Sequence, residues 1–181
     1  MESLKVNFVG DTNVGKTSII HYYLNKETPV TPTVGADYNE VVLNGDGIDV
    51  QLKLFDTAGQ EKYSALMPLY FRDKDIFIVV YDLTSLESLQ NVEKWVYKIH
   101  ELSGEIPIII VGNKSDLEPQ VPQEQIEQII IRIDPRKSFL TSAVTGSNVK
   151  ELFEYLAFSR DIQRTPEDPN LIPRESKKKC C

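Results

Sequence analysis

The chain has 181 residues, of which 41% are hydrophobic and 26% are charged, and its formal net charge is −7. This length suits one domain with a sizeable core, and the acidic balance argues against a general nucleic-acid binder, which would carry a basic surface. An apolar run of about 18 residues is absent, and Met1 lies next to a strand pattern, so we expect neither a membrane span nor a secretory leader. The two cysteines, Cys180 and Cys181, are adjacent, which gives no disulfide framework and fits a reducing compartment.

A phosphate-binding pattern follows the first predicted strand. Residues 10–17, GDTNVGKT, fit G-x-x-x-x-G-K-[ST] between an apolar strand pattern and a helical pattern. Main-chain N–H groups of such a loop hold phosphate oxygens, Lys16 reaches the β- and γ-phosphates, and the Thr17 hydroxyl ligates Mg²⁺. An ordinary glycine turn is the weaker alternative, given the strand before and the helix after. The predicted nucleotide contacts here are Asp11, Thr12, Asn13, Val14, Gly15, Lys16, Thr17 and Ser18.

The segment after the first helix carries prolines and β-branched residues at 27–33, so it is not regular helix. The Thr33 hydroxyl in this segment could complete Mg²⁺ coordination while a γ-phosphate holds the loop, which would make it the moving part of a switch. A plain threonine in an extended stretch is the alternative. Strand patterns at 38–43 and 50–54, joined by the turn sequence NGDG, then predict a hairpin.

Polar residues at the end of that hairpin suit phosphate chemistry. Asp56 at a strand end could hold Mg²⁺, Gly59 would let a main-chain N–H approach the γ-phosphate, and Gln60 could orient an attacking water. A surface turn is the alternative reading of this stretch taken alone. Together with Lys16, Gly59 and Gln60 are therefore the predicted catalytic residues, and Thr17, Thr33 and Asp56 are the predicted metal ligands.

The remaining elements predict an α/β fold. Apolar runs at 76–81 and 106–111 suit strands covered on both faces, and the amphipathic helix between them carries Trp95, which we expect to pack against the sheet. The order of elements predicts a P-loop NTPase three-layer fold with a mostly parallel six-stranded sheet, one antiparallel strand and helices on both faces. Residues 1–164 form the predicted domain, and prolines among charges predict a disordered tail at 165–181.

A polar tetrapeptide, NKSD at 113–116, follows one of the buried strands. A carboxylate at Asp116 can accept from N1–H and the 2-amino group of guanine, whereas adenine would leave a buried aspartate unpaired. Asn113 can tie this loop to the phosphate loop, and the Lys114 stem can lie along the base. A common polar turn is the alternative for these four residues alone. A further strand-end loop adds predicted base contacts at Ser142, Ala143 and Val144.

These motifs together resemble the small GTPases of the Ras superfamily, and most closely the Rab family. The resemblance spans roughly residues 4–160 and keeps the family's order of motifs. The segments TVGADY at 33–38, KLFDTAGQEKY at 53–63 and YDLT at 81–84 are Rab-like, and the terminal Cys180-Cys181 is similar to a doubly geranylgeranylated ending. Three adjacent lysines at 177–179 would add a basic membrane signal.

The resemblance implies a GTP/GDP switch that hydrolyses GTP slowly with Mg²⁺ and recruits effectors in vesicle trafficking and protein transport. It also implies an exchange factor, a GTPase-activating protein and a prenylation escort or GDP-dissociation inhibitor as partners. The protein would be a cytoplasmic monomer that cycles onto the cytoplasmic face of intracellular membranes and binds no nucleic acid.

Several positions depart from the family pattern. Thr28 and Pro29 occupy the neighbourhood of the aromatic residue that flanks the guanine in the family. The segment after the first helix, which forms the first switch of the family, is about two residues shorter than in Ras-type chains. Val144 stands where lysine is usual. Thr12 and Asn13 stand where Ras-like loops often carry glycine, so they could tune hydrolysis. A guanine-nucleotide scaffold that scarcely hydrolyses GTP is the alternative function. A nucleoside monophosphate kinase is a third, but it would need an arginine-rich lid that this sequence lacks.

Overall fold

The computed structural model describes residues 1–26, 31, 33–45, 47–58 and 67–166. Within them the chain forms seven strands and six helices. The strands are β1 (Glu2–Val9), β2 (Ala36–Asn44), β3 (Asp49–Thr57), β4 (Ile76–Asp82), β5 (Ile108–Asn113), β6 (Lys137–Leu140) and β7 (Thr165–Pro166). The helices are α1 (Lys16–Tyr23), α2 (Met67–Phe71), α3 (Leu86–Gln90), α4 (Val92–Ser103), α5 (Gln123–Ile133) and α6 (Val149–Phe158).

One sheet organises these elements in the order β2-β3-β1-β4-β5-β6. Strand β2 runs antiparallel to β3, and the other neighbours in this order are parallel. The predicted six-stranded, mostly parallel sheet with one antiparallel strand is therefore confirmed. The two-residue β7 adds a short antiparallel pairing to the start of β1.

Two hydrophobic cores cover the two faces of the sheet, as the predicted three-layer architecture requires. Strand β4 shows why, because its side chains alternate between them: Ile76, Ile78 and Val80 join one core, while Phe77 and Val79 join the other. Helices α1 and α6 pack on the first face, and α3, α4 and α5 pack on the second. None of the helices within the described ranges is long and apolar enough to cross a bilayer.

The second face differs from the prediction in one respect that matters for the site. A single amphipathic helix was predicted there, but Asn91 separates two helices, α3 and α4. The Ser85 hydroxyl caps α3 by accepting from the Ser88 N–H at 3.2 Å. This break places the Asn91 side chain at the start of α4, where it points toward the loop after β1, as its contact with Asp11 shows.

Parallel pairing brings the carboxyl ends of five strands, β1, β3, β4, β5 and β6, to one edge of the sheet. Phe8 in β1 pairs with Asp56 in β3, Asp82 in β4 pairs with Asn113 in β5, and Gly112 pairs with Leu140 in β6. The polar segments that follow these strands therefore meet, as expected for ligand sites in α/β sheets.

Candidate nucleotide and magnesium site

Two glycines shape the loop between β1 and α1. Gly10 has a φ of 138°, and a Cβ there would lie 2.2 Å from the Val80 carbonyl oxygen. Gly15 has a φ of 99°, and its Cβ would lie 2.1 Å from Asn113 Nδ2. Both positions thus combine a positive φ with a close neighbour, which only glycine satisfies. The loop curls against two strand ends as the phosphate-loop pattern predicts.

Lys16 lies buried at the centre of this loop. Its ammonium donates to the main-chain oxygens of Gly10 at 2.9 Å and Asp11 at 2.7 Å. Burial lowers the pKa of Lys16 to about 8, although the carboxylates of Asp56 and Asp11 act in the opposite direction. A buried cation with flexible reach is therefore held at the loop, ready to exchange carbonyl partners for phosphate oxygens.

The three predicted metal ligands come together, although they lie far apart in the sequence. The Thr17 hydroxyl donates to Asp56 Oδ2 at 2.5 Å, the Thr33 hydroxyl donates to the same oxygen at 3.2 Å, and the two hydroxyls are 3.1 Å apart. The other carboxylate oxygen, Asp56 Oδ1, is buried and has no hydrogen-bond partner among the residues that the structure describes. A carboxylate and two hydroxyls are oxygen ligands of the kind that Mg²⁺ prefers, so these residues fit the ion.

The pKa of Asp56 also indicates that this group of residues suits a bound cation. Burial raises the pKa of this carboxyl group above its usual value, even though the Thr17 hydroxyl, the Lys16 ammonium and the Thr33 hydroxyl favour the ionised form. A buried carboxylate with an orphaned oxygen is unfavourable by itself and is stabilised by a cation.

Asn113 joins three segments of the site. Its amide nitrogen donates to the Val14 carbonyl at 2.9 Å, and its amide oxygen accepts from the Thr141 hydroxyl and the Ala143 N–H, each at 3.2 Å. The sequence predicted the tie to the phosphate loop, and this contact confirms it. The same side chain also fixes the loop after β6.

Ser142 holds the residue that the sequence assigns to base recognition. Its buried hydroxyl donates to Asp116 Oδ1 at 2.5 Å and accepts from the N–H groups of Val144 and Thr145. Ser142 and Asp116, two of the predicted base contacts, thus lie together, and their roles toward a base stay predictions. Asp116 itself is exposed. Discrimination against adenine would therefore depend on the base itself covering the carboxylate.

Lys114 has a partner that the motif did not reveal. Its ammonium lies 2.6 Å from Asp82 Oδ2, and Asp82 Oδ1 accepts from the N–H and hydroxyl of Thr84. Burial raises the pKa of Asp82, but Lys114 and Thr84 outweigh burial and hold it below its usual value. The ion pair anchors the Lys114 head, so that its stem is held beside the candidate base site.

Other contacts also escaped the sequence analysis. The predicted packing role of Trp95 is correct, since the side chain is buried, but its indole N–H also donates to Asp11 at 2.8 Å. Asn91 donates to the same carboxylate at 2.7 Å. Tyr22, near the end of α1, donates to the Thr145 carbonyl at 3.3 Å. A short stretch of sequence gives no sign of such contacts, because each joins residues at least 80 positions apart.

Some predicted residues lie outside the described residues or carry no contact that tests them. Gly59, Gln60, Cys180 and Cys181 belong to the first group, so their roles stay predictions. Thr12, Asn13 and Val144 are exposed, and Asn13 has a φ of 65°, a conformation that asparagine tolerates better than most residues.

Comparison with known proteins places the chain in a family. It matches the model of the Ras family over residues 5–162. It is also 37% identical over 184 aligned positions to the human EF-hand calcium-binding domain-containing protein 4B. That alignment takes in 98% of this chain but 25% of the human protein, so the chain spans about a quarter of the length of this relative. Because the family match covers nearly all of the α/β domain, the chain belongs to the Ras family of small GTPases.

Proposed function

We propose that this protein is a Rab-like GTPase that alternates between a GTP form, which binds effectors, and a GDP form. The observation that carries the proposal is the meeting of Thr17, Thr33 and Asp56 beside the buried ammonium of Lys16. Thr33 precedes β2, so a residue outside the phosphate loop contacts the other two predicted Mg²⁺ ligands, Thr17 and Asp56, directly. Such a residue senses whether a γ-phosphate and its cation are bound.

The chain's own residues divide the work of hydrolysis. Lys16 and the N–H groups of the phosphate loop stabilise charge on the transferring phosphoryl group, and Gln60 orients the attacking water. When bound at Thr17, Thr33 and Asp56, Mg²⁺ supplies positive charge for the phosphate oxygens. The sequence shows no evident built-in arginine finger, so we expect a slow intrinsic rate that a GTPase-activating protein increases.

The proposal also includes recognition of guanine and association with membranes. Asp116 and Ser142, held together by a hydrogen bond of 2.5 Å, support recognition of guanine. The Rab-like motifs and the terminal Cys180-Cys181 support a prenylated protein that works in vesicle trafficking with an exchange factor and a prenylation escort or GDP-dissociation inhibitor. In this proposal the protein is a monomer that cycles between the cytoplasm and the cytoplasmic face of intracellular membranes.

The test begins with the nucleotide that the purified protein releases on denaturation. Guanine nucleotide at close to one mole per mole of protein is expected, and adenine nucleotide would contradict the base assignment. Single-turnover hydrolysis of bound GTP, with and without cell extract, then separates a switch from the scaffold alternative. A switch hydrolyses GTP and does so faster with extract, and Gln60→Leu removes that acceleration. Full retention of GTP under both conditions would favour the scaffold.

A further inference from the structure

Asp11 places a carboxylate in a loop that binds phosphates. Its main-chain oxygen accepts from the Lys16 ammonium at 2.7 Å, and its negative charge offsets part of the lowering of the Lys16 pKa that burial causes. The carboxylate is therefore close enough to attract this ammonium and to repel a triphosphate. A phosphate loop with an acidic second residue needs a means of keeping that charge away from the ligand.

The structure turns the carboxylate toward the helices instead. Asp11 Oδ1 accepts from Trp95 Nε1 at 2.8 Å, and Asp11 Oδ2 accepts from Asn91 Nδ2 at 2.7 Å. Each carboxylate oxygen thus has a donor from the α3–α4 region. Asn91 and Trp95 are together called the α4 clamp below.

The α4 clamp is held in place by its own neighbours. Lys94 donates to Asn91 Oδ1 at 2.7 Å, which orients the amide so that its nitrogen faces Asp11. The Trp95 side chain is 7% exposed and belongs to the core under α4, and the Lys98 ammonium lies 5.0 Å from the centre of its ring. The two lysines also bring positive charge to the side on which the carboxylate is held.

We propose that the α4 clamp keeps the Asp11 carboxylate away from the phosphates and so leaves Lys16 available for the nucleotide. Asn91 and Trp95 are then positioning residues, since they act through Asp11 and not by touching the ligand. The inference rests on the proposed function, because it requires the loop to bind a nucleoside triphosphate. A carboxylate released from the clamp would weaken GTP binding more than GDP binding, because GTP carries the larger negative charge.

Trp95→Phe tests this proposal because it keeps an aromatic ring in the core and removes the N–H donor. We expect the dissociation constant for GTP to rise about tenfold, the size expected for losing one hydrogen bond to a charged acceptor. The rise should be smaller for GDP and should shrink in concentrated salt. Tyr97→Phe is the matched control, because Tyr97 lies on the same helix with its side chain exposed.

A charge-removal background shows whether Trp95 acts through the carboxylate. In an Asp11→Asn protein, Trp95→Phe should change GTP affinity by less than about twofold, because no negative charge remains to be released. Equal losses in both backgrounds, with GTP and GDP affected alike, would show a merely structural role and overturn the proposal.

Asn91→Ala is a second variant, useful if Trp95→Phe does not fold, and it should give the same pattern. Different results would contradict the proposed GTPase function and the role of the α4 clamp. A wild-type protein that binds no GTP contradicts the proposed function. A wild-type protein that binds GTP, with clamp variants that bind it equally well, contradicts only the role of the clamp.

Discussion

Two buried charges in this site have pKa values shifted in opposite directions. Burial lowers the pKa of Lys16 and raises that of Asp56, so each charge is unfavourable in its surroundings. A bound phosphate would place negative charge beside the Lys16 ammonium, and a bound cation would place positive charge beside the Asp56 carboxylate. The residues predicted to bind the ligand are thus ones that its binding would stabilise, which is a common property of functional sites.

The pKa of Lys16 predicts how nucleotide affinity depends on pH. The free protein has a pKa of about 8 at this residue, and bound phosphates stabilise the ammonium, so its pKa is higher in the complex. Above pH 8 binding therefore takes up a proton, and affinity should fall as pH rises, approaching about tenfold per pH unit. Titration of GDP between about pH 7 and 9 measures this slope.

Lys16→Arg is the control for that measurement, because an arginine stays charged over the whole range. Its affinity for GDP should show no comparable fall. An equal slope in the wild-type and Lys16→Arg proteins would mean that another group titrates.

Asp56→Asn should separate folding stability from metal binding. Because burial raises the pKa of Asp56, the ionised form costs stability at every pH above the usual carboxyl pKa, and neutral pH lies in that range. The variant should therefore unfold at a higher denaturant concentration than the wild-type protein when both are free of nucleotide. Its affinity for GDP should no longer increase when Mg²⁺ is added. Lower stability together with retained Mg²⁺ dependence would contradict the assigned site.

At the scale of elements, the loops of the site are held by side chains from distant segments. Asn113 contacts both the phosphate loop and the loop after β6. Tyr22 reaches the same β6 loop from α1, where a Cβ at Gly146 would lie 1.9 Å from its hydroxyl oxygen. The tyrosine thus occupies the space beside Gly146, and it supports the β6 loop, whose Ser142 hydroxyl donates to Asp116.

Tyr22→Ala should therefore speed the release of GDP while leaving the hydrolysis rate of bound GTP unchanged. Loss of the ring frees the loop around Ser142, which touches the predicted base site and not the predicted γ-phosphate site. We expect release to be about tenfold faster, from the lost packing of one half-exposed aromatic side chain. Release of a fluorescent GDP analogue and single-turnover hydrolysis measure the two quantities.

Tyr22→Phe and Gly146→Ala make this test specific. The first keeps the ring and loses only a long hydrogen bond, so release should change by less than about threefold. The second places a methyl group where the Tyr22 hydroxyl lies, at a φ of 82° that strains alanine, and should speed release as Tyr22→Ala does. Unchanged release of GDP in Tyr22→Ala and Gly146→Ala would mean that the loop after β6 keeps its conformation without Tyr22.

Sequence reasoning predicted the elements better than their contacts. Continuous apolar runs identified β4 and β5, and the phosphate-loop pattern with strand-end polar residues brought Lys16, Asp56 and Asn113 to one edge. Periodicity shows that Trp95 is buried, but not that its N–H meets Asp11, because that partner lies 84 positions away. The break at Asn91 was missed for a related reason, since the apolar spacing continues across it.

At the scale of the whole molecule, the site lies where the sheet and both helical layers meet. The phosphate loop leads into α1 on one face, and its Asp11 contacts the helices on the other through Asn91 and Trp95. The loops after β3, β5 and β6 complete it through Asp56, Asn113 and Ser142. A ligand that binds here contacts segments from most of the chain, so binding should stabilise the fold as a unit.

Thermal unfolding of nucleotide-free protein tests that coupling together with the choice of base. GDP and Mg²⁺ at about a thousand times the dissociation constant should add about 4 kcal/mol of stability, because the ligand binds only the folded state. For a chain of this size that raises Tm by roughly 8–16 °C. ADP at the same concentration should leave Tm unchanged, because adenine offers no donors to Asp116. Equal increases with GDP and ADP would show phosphate binding without base recognition. Asp116→Asn should reduce the increase seen with GDP, since the charged acceptor for the two guanine donors is lost.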